Sequence, residues 1–215
     1  QCFAANAFVF TNTTTISSGT LSYLWKFGDG TTSTATSPTK SYSATGSYVV
    51  TLIATSNNGC VDSTSQSMLI YVSPVTSFTS NAALNQCFTG NNFSFTNTST
   101  IASGNMSFLW SFGDGTTSGT TNITSKSYAN AGTYSVKLVA TSNNGCKDSS
   151  TQTITVFPKA NVSFTTNSAS QCFNGNSFVF TNTSSIASGS LSYLWSFGDG
   201  STSTLAAPAA KVYAS

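Results

Sequence analysis

The chain has 215 residues, a formal net charge of +2, and only 6% charged residues, against roughly 25% in ordinary soluble domains. It contains no His; all seven of its basic residues are Lys and all five of its acids are Asp, at positions 29, 62, 114, 148 and 199. This leaves no basic field for nucleic acid and no polybasic patch for a membrane surface, while 13% aromatic residues supply enough apolar surface to fold.

In chain order, the first signal is "QCF" at Gln1–Phe3, which returns at 86–88 and 171–173. "LWKFGDGTTST" from Leu24 returns as "LWSFGDGTTSG" from Leu109 and "LWSFGDGSTST" from Leu194, so Trp25, Trp110 and Trp195 recur with a period of 85 residues. "TSNNGC" ends at Cys60 and again at Cys146, one residue more than the period because of an insertion between Gly115 and Tyr128. Repeats this long are tandem domains rather than thin solenoid rungs. The expected division is 1–73, lacking a first strand; 74–158, complete; and 159–215, lacking the last two strands. The whole therefore reads as a slice of a longer array.

Within the second repeat, "NFSFTNTS" places Phe93 and Phe95 on one face. "MSFLWSF" aligns Met106, Phe108, Trp110 and Phe112, and "YSVKLVA" aligns Tyr134, Val136, Leu138 and Ala140 with Ser135 and Lys137 outside. Period-two alternation marks half-buried antiparallel strands, and "ASGN", "GDG", "NAG" and "SNNG" mark the turns between them. No stretch has helical periodicity, and no apolar run reaches the roughly 18–20 residues of a membrane helix. The fold class is all-β: tandem immunoglobulin-like β-sandwiches. No leader is recognisable, so any secretion signal is expected to have been removed or to lie outside these residues.

Trp-x-Phe-Gly-Asp-Gly, followed by "SYANAGTYSVKLVATSNNGCKDS", resembles the PKD (polycystic kidney disease) domain, an immunoglobulin-like sandwich common in extracellular arrays. The resemblance spans each whole repeat, with two departures. Lys26, Ser111 and Ser196 stand where the family often has Asp, and Lys40, Lys126 and Lys211 stand where it often has His. Trp25, Trp110 and Trp195 are the expected core residues. Asp29, Asp114 and Asp199 are expected to fix the turn that ends the Trp strand, since Gly on both sides permits positive φ and Asp bonds nearby backbone N–H groups. Calcium is the competing reading, but it wants six or more oxygens, usually from several carboxylates, and each Asp lacks an acidic neighbour. No metal and no cofactor are expected. Without His there is no Ser-His or Cys-His pair, so no catalytic residue is assigned and the chain reads as a non-enzyme.

Five cysteines in a repeated pattern suit an oxidising, extracellular setting. The simplest pairing is within a repeat, Cys2–Cys60 and Cys87–Cys146. On the fold the resemblance implies, those partners sit at opposite ends of a strand roughly 26 Å long, whereas a disulfide needs Cα atoms within roughly 7 Å. The favoured expectation is therefore a bridge between repeats, Cys2–Cys146, with Cys60, Cys87 and Cys172 pairing outside these residues. Asn12, Asn97 and Asn182 are candidate N-glycan acceptors at one repeat position, and Ser63, after Asp62, is a candidate O-glycan site.

The resemblance implies a structural and adhesive protein, a stiff cell-surface stalk or filament. Its partners would be neighbouring repeats of the same chain, identical chains in a bundle, and surface glycans; nucleic acid and membrane insertion are not expected. The alternative is a carbohydrate-binding or spacer region of a secreted hydrolase, for which Phe3, Tyr71, Phe88, Phe157 and Phe173 are the candidate outward aromatics.

Overall fold

The computed structural model describes residues 1–80 and 83–214. Among these residues there is one helical turn, the 3-10 segment Phe3–Ala5, and the other regular elements are strands. The first repeat supplies β1 (Phe8–Val9), β2 (Leu21–Lys26), β3 (Thr32–Ser33), β4 (Thr39–Lys40), β5 (Gly46–Ser56) and β6 (Val61–Ile70). The second supplies β7 (Phe78–Ser80), β8 (Asn85–Cys87), β9 (Phe93–Asn97), β10 (Met106–Ser111), β11 (Thr117–Ser118), β12 (Ile123–Lys126), β13 (Gly132–Ser142) and β14 (Lys147–Phe157). The third supplies the short β15 (Phe164–Thr166), β16 (Phe180–Asn182), β17 (Trp195–Ser196) and β18 (Thr202–Ser203).

Two compact units emerge, and their limits do not follow the repeats. One comprises Gln1–Thr79, Phe95–Ile123 and Ser135–Gln152; the other comprises Ser80–Ser94, Thr124–Tyr134 and Thr153–Ser215.

In the first unit, β3-β2-β5-β6 form an antiparallel sheet, with Trp25 opposite Leu52 across β2 and β5. β1 and β4 form the second layer. Trp25, Phe27, Tyr42, Val50, Leu52 and Ile70 form the core between them, with Phe8, Phe10 and Met68 packed against it. The same unit holds the heart of the second repeat. There β10 pairs antiparallel with β11 and with β13, and Trp110 of β10 meets Phe78 and Phe95 at ring-centroid distances of 5.0 and 5.8 Å. Trp110, Phe95, Val136 and Leu138 have no exposed surface. This is the face-to-face packing of a β-sandwich, with alternate residues of each strand turned inward.

In the second unit, β8 lies parallel to the end of β14, with Cys87 in register with Phe157. Phe93 meets Tyr128 edge-on at 5.7 Å. The third repeat keeps the aromatic grouping Phe164, Phe180, Trp195 and Phe197, but it is open. Residues 191–194 align with the early part of β10 yet join no ladder among the described residues. An apolar trough of about 490 Å³, lined by Phe164, Phe180, Trp195 and Tyr213 among others, remains on that side. In the first repeat a trough of about 630 Å³ lies beside Phe10, Trp25 and Met68.

The strands expected from alternation are present with small differences at their ends. Phe112 lies just past β10 because its N–H bonds Thr116 O across the following turn, at 3.1 Å.

Phe95→Ala removes a ring that touches Phe78, Trp110 and Phe112. It is expected to destabilise the second repeat by about 3–5 kcal/mol, read by guanidinium denaturation. Leu109→Ala, at a half-exposed position, should stay within about 0.5 kcal/mol.

Candidate functional site: the repeated turn and the junction between repeats

The Gly-Asp-Gly turn is built the same way in each repeat. Asp29 Oδ1 accepts hydrogen bonds from the Thr31 N–H at 3.1 Å and hydroxyl at 2.6 Å. Asp114 accepts the same two from Thr116, and Asp199 from Ser201. In the first and second repeats the first Gly has two reasons to be Gly. Gly28 and Gly113 have φ of 79°, and a Cβ there would lie 2.8 Å from Val49 O and Ser135 N respectively. The second Gly has only the first reason: Gly30 and Gly115 have φ of 87° and 86° with open space around them.

The Lys residues that depart from the family pattern complete this turn. Lys40 Nζ lies 2.6 Å from Asp29 Oδ2 and donates to Thr31 Oγ1 at 2.8 Å. It also sits over the rings of Phe27 and Tyr42, at 5.5 and 5.3 Å. Lys211 repeats this on Asp199, Ser201, Phe197 and Tyr213, and Lys126 lies 5.0 Å over Tyr128. Burial alone would raise the Asp29 carboxyl. The Lys40 ammonium and the two Thr31 donors outweigh it and hold the group at about 2. The bonds from Lys211 and Ser201 likewise hold Asp199 well below the usual carboxylate range. A carboxylate engaged by an ammonium and two neutral donors has little left to offer a cation. Among the described residues, no three His, Cys, Asp or Glu side chains gather where a metal could bind.

Each Trp carries one more repeated bond, from its indole N–H to a carbonyl ten residues on: Trp25 to Ala35, Trp110 to Thr120 and Trp195 to Leu205. Asn12, Asn97 and Asn182 each accept, through Oδ1, the N–H of the residue two further on, and Asn12 Nδ2 is buried without a hydrogen-bond partner. Ser63 is exposed, and its N–H donates to Asp62.

Cys2 and Cys146 form a disulfide, with Cα atoms 5.4 Å apart across 144 residues of sequence. Cys60, Cys87 and Cys172 are free and exposed. β6 explains why Cys2 does not meet Cys60: Cys2 lies beside Tyr71 at the end of that ten-residue strand, and Cys60 lies just before its start. At about 3.3 Å per residue, those ends are some 30 Å apart. Cys146 sits in the turn between β13 and β14, where the Ser142 N–H bonds Cys146 O at 2.8 Å and the Cys146 N–H bonds Ser142 Oγ at 3.1 Å. Within the first repeat, the loop carrying Cys2 is tied to the end of β6 by Phe3 N–H to Tyr71 O and Tyr71 N–H to Gln1 O. The Thr76 N–H bonds Asp148 Oδ2 at 2.7 Å; this bond lowers the Asp148 pKa, against the opposing effect of burial.

Two sets of residues holding the "QCF" loop went unassigned in the sequence. Gln1, Gln86 and Gln171 each exchange two bonds with a backbone six residues on. Asn6, Asn91 and Asn176 each bond the carbonyl of the loop Phe and both backbone groups of the Tyr that follows the turn Lys. Their recurrence at the 85-residue period was the available signal.

A family profile for the PKD domain matches residues 3–72 and 71–157. The chain belongs to the PKD domain family. Among curated proteins, the pre-pro-metalloprotease PrtV of Vibrio cholerae is 47% identical over 60 residues, which is 27% of this chain and 6% of that protein. Among solved structures, the PKD1 domain of that protease is 38% identical, covering 39% of this chain and 96% of the domain, with a TM-score of 0.34. The PKD1 domain of Vibrio anguillarum Epp is 32% identical, covering 39% of this chain and 93% of the domain, also at 0.34.

Two outcomes follow from the turn. Gly115→Ala should cost about 1–2 kcal/mol for its left-handed backbone; Gly113→Ala should cost clearly more, because its Cβ also meets the Ser135 backbone, and paired thermal melts compare them. For Asp29, the unfolded carboxyl titrates near 3.9 and the folded one at about 2. The unfolded state therefore takes up its proton first as pH falls. The stabilisation is full above about pH 4 and is lost as pH drops through about 2. The Tm difference between wild type and Asp29→Asn should accordingly be constant from pH 7 to 5 and close towards pH 2.

Proposed function

We propose that this chain is a segment of a non-catalytic, extracellular PKD array that acts as a stiff, adhesive stalk or filament at a cell surface. The observation that carries this reading is the disulfide between Cys2 of one repeat and Cys146 of the next. Most structural disulfides cross-link one domain and limit its unfolded chain. A bond joining successive domains restrains the joint instead, and a short Pro-containing connection such as "YVSPVTSF" adds stiffness. The disulfide also fits an oxidising compartment. The remaining cysteines occupy the same two repeat positions, so the joint can recur along the array with one geometry. Surfaces rich in Ser, Thr and Asn and poor in charge suit lateral packing between identical chains. No helix among the described residues is long and apolar enough to cross a membrane.

A second reading has one observation in its favour. The relative 47% identical over 60 residues is a metalloprotease, which makes a spacer or carbohydrate-binding region of a secreted hydrolase the competing assignment. Phe3, Phe157 and Phe173 are exposed at 40%, 49% and 63%, as a sugar platform would need. Phe3 and Phe173, however, belong to the "QCF" loops, and Phe157 is in register with Cys87 of another.

Electron microscopy of the native material, without and then with reductant, separates the readings. The expected result is a linear filament with an axial repeat of about 35–45 Å, the length of such strands plus their turns, that loosens on reduction. Flexible beads indifferent to reductant, attached to an enzyme, would favour the hydrolase reading.

A further inference from the structure

A disulfide is a covalent short cut, and this one spans 144 residues of sequence with Cα atoms 5.4 Å apart. A bridge within one repeat would close a loop inside that repeat alone. The Cys2–Cys146 bridge instead encloses β1 to β6 of the first repeat, the connection "YVSPVTSF" and the second repeat as far as the hairpin before β14. Past Cys146 the chain enters β14, eleven residues long, directly. A strand already rises about 3.3 Å per residue against a ceiling of about 3.6 Å, so tension lengthens it by roughly a tenth at most. Side contacts hold β14 in place. Ile154 and Val156 are buried, the Gln152 side-chain amide donates to Phe78 O at 2.7 Å, and the Thr155 and Phe88 N–H groups bond Leu84 O and Phe157 O, each at 2.8 Å. Cys146 has no exposed surface, so a thiol in solution meets this bond through the half-buried Cys2.

We infer that tension reaching Cys2 passes through the disulfide into β14, and that residues 3–145, with the cores of the first two repeats, carry none of it. The inference rests on reading the chain as a stiff stalk, and adds which part of the chain bears the load. The bridged ends are already at bonding distance and the strand beyond them is already extended. No slack has to be taken up before this covalent path is taut. The connection between the repeats lies inside the bypass as well, so pulling does not draw the two repeats apart while the bond holds. The cores then serve to place the cysteine loop, the hairpin and β14, and resisting extension is left to covalent bonds. Without the bridge the same tension would run from Phe3 through every strand in turn. The repeats would then open at a force set by their non-covalent packing, as the aromatic contacts of Trp110 and Phe95 supply it.

The test is single-molecule pulling on the two ends of the 215-residue chain, first oxidised and then with reductant added to the same tethered molecule. The bridged chain should stop short of the reduced one by about 480–520 Å, the contour of the 144 enclosed residues at roughly 3.3–3.6 Å each. The added length should appear as unfolding steps only once the bridge is gone, and Cys2→Ser should show them from the start. Phe95→Ala, which weakens the core of the second repeat, should leave the bridged traces unchanged and lower the force of those steps in the reduced molecule. Full extension of the bridged chain, no added length on reduction, or bridged traces that shift with Phe95→Ala would overturn the inference. The stalk reading is tested separately by microscopy of native material. Filaments there with a failed bypass contradict the load path alone, and a bypass without filaments contradicts the stalk alone.

Discussion

The length of one strand governs how this protein is joined. Each complete repeat carries one cysteine before its last long strand and one beside the end of that strand. A strand of ten residues, such as β6, holds such a pair some 30 Å apart, several times the reach of a disulfide. The two cysteines of a repeat are therefore available only to other repeats. From this follow the bond between Cys2 and Cys146, the exposure of the cysteines without partners, and the use of the bond at a joint rather than in a core.

The rest of the repeat keeps those cysteines in place with very little charge. Trp110, Phe95 and Phe78 fill the space between the sheets of the second repeat, and the indole N–H ties down the segment after the turn. The Gly-Asp-Gly turn lets the backbone pass close to β5 or β13, and in the first and third repeats Lys locks the Asp. Asn6 and Asn176 then connect the loop Phe to the Tyr that follows that Lys. A continuous set of bonds thus runs from the turn to the cysteine loop. In a chain with 6% charged residues, two of the five Asp are seen spent on these ion pairs, and Asp148 is spent on the backbone where the second repeat begins.

The all-β class and the inward faces of β9, β10 and β13 were legible because period-two alternation needs no partner to be visible. The Asp turn was legible because Gly on both sides has few other uses. The Lys contribution was not: Lys40 lies 11 residues from Asp29 and Lys211 lies 12 from Asp199, distances that only the folded hairpin closes. The joint recurrence of Asp and Lys-x-Tyr carries that signal, but in sequence the Lys shows only as a departure from the family's His. The Gln and Asn clamps were hidden for a similar reason. Asn and Gln abound on the surface of this chain, and only burial, as at Asn91 and Asn176, each 7% exposed, distinguishes a structural amide from a solvating one. The short strands of the third repeat were not readable from its own sequence, since "LSYLWSF" alternates as well as "MSFLWSF" does.

Disulfide mapping of the protein isolated without reductant reads the connectivity of the joint. Proteolysis with free thiols blocked should yield a peptide pair linked through Cys2 and Cys146. Peptides linking Cys2 to Cys60, or Cys87 to Cys146, would contradict the account, because they would require the two ends of one strand to meet.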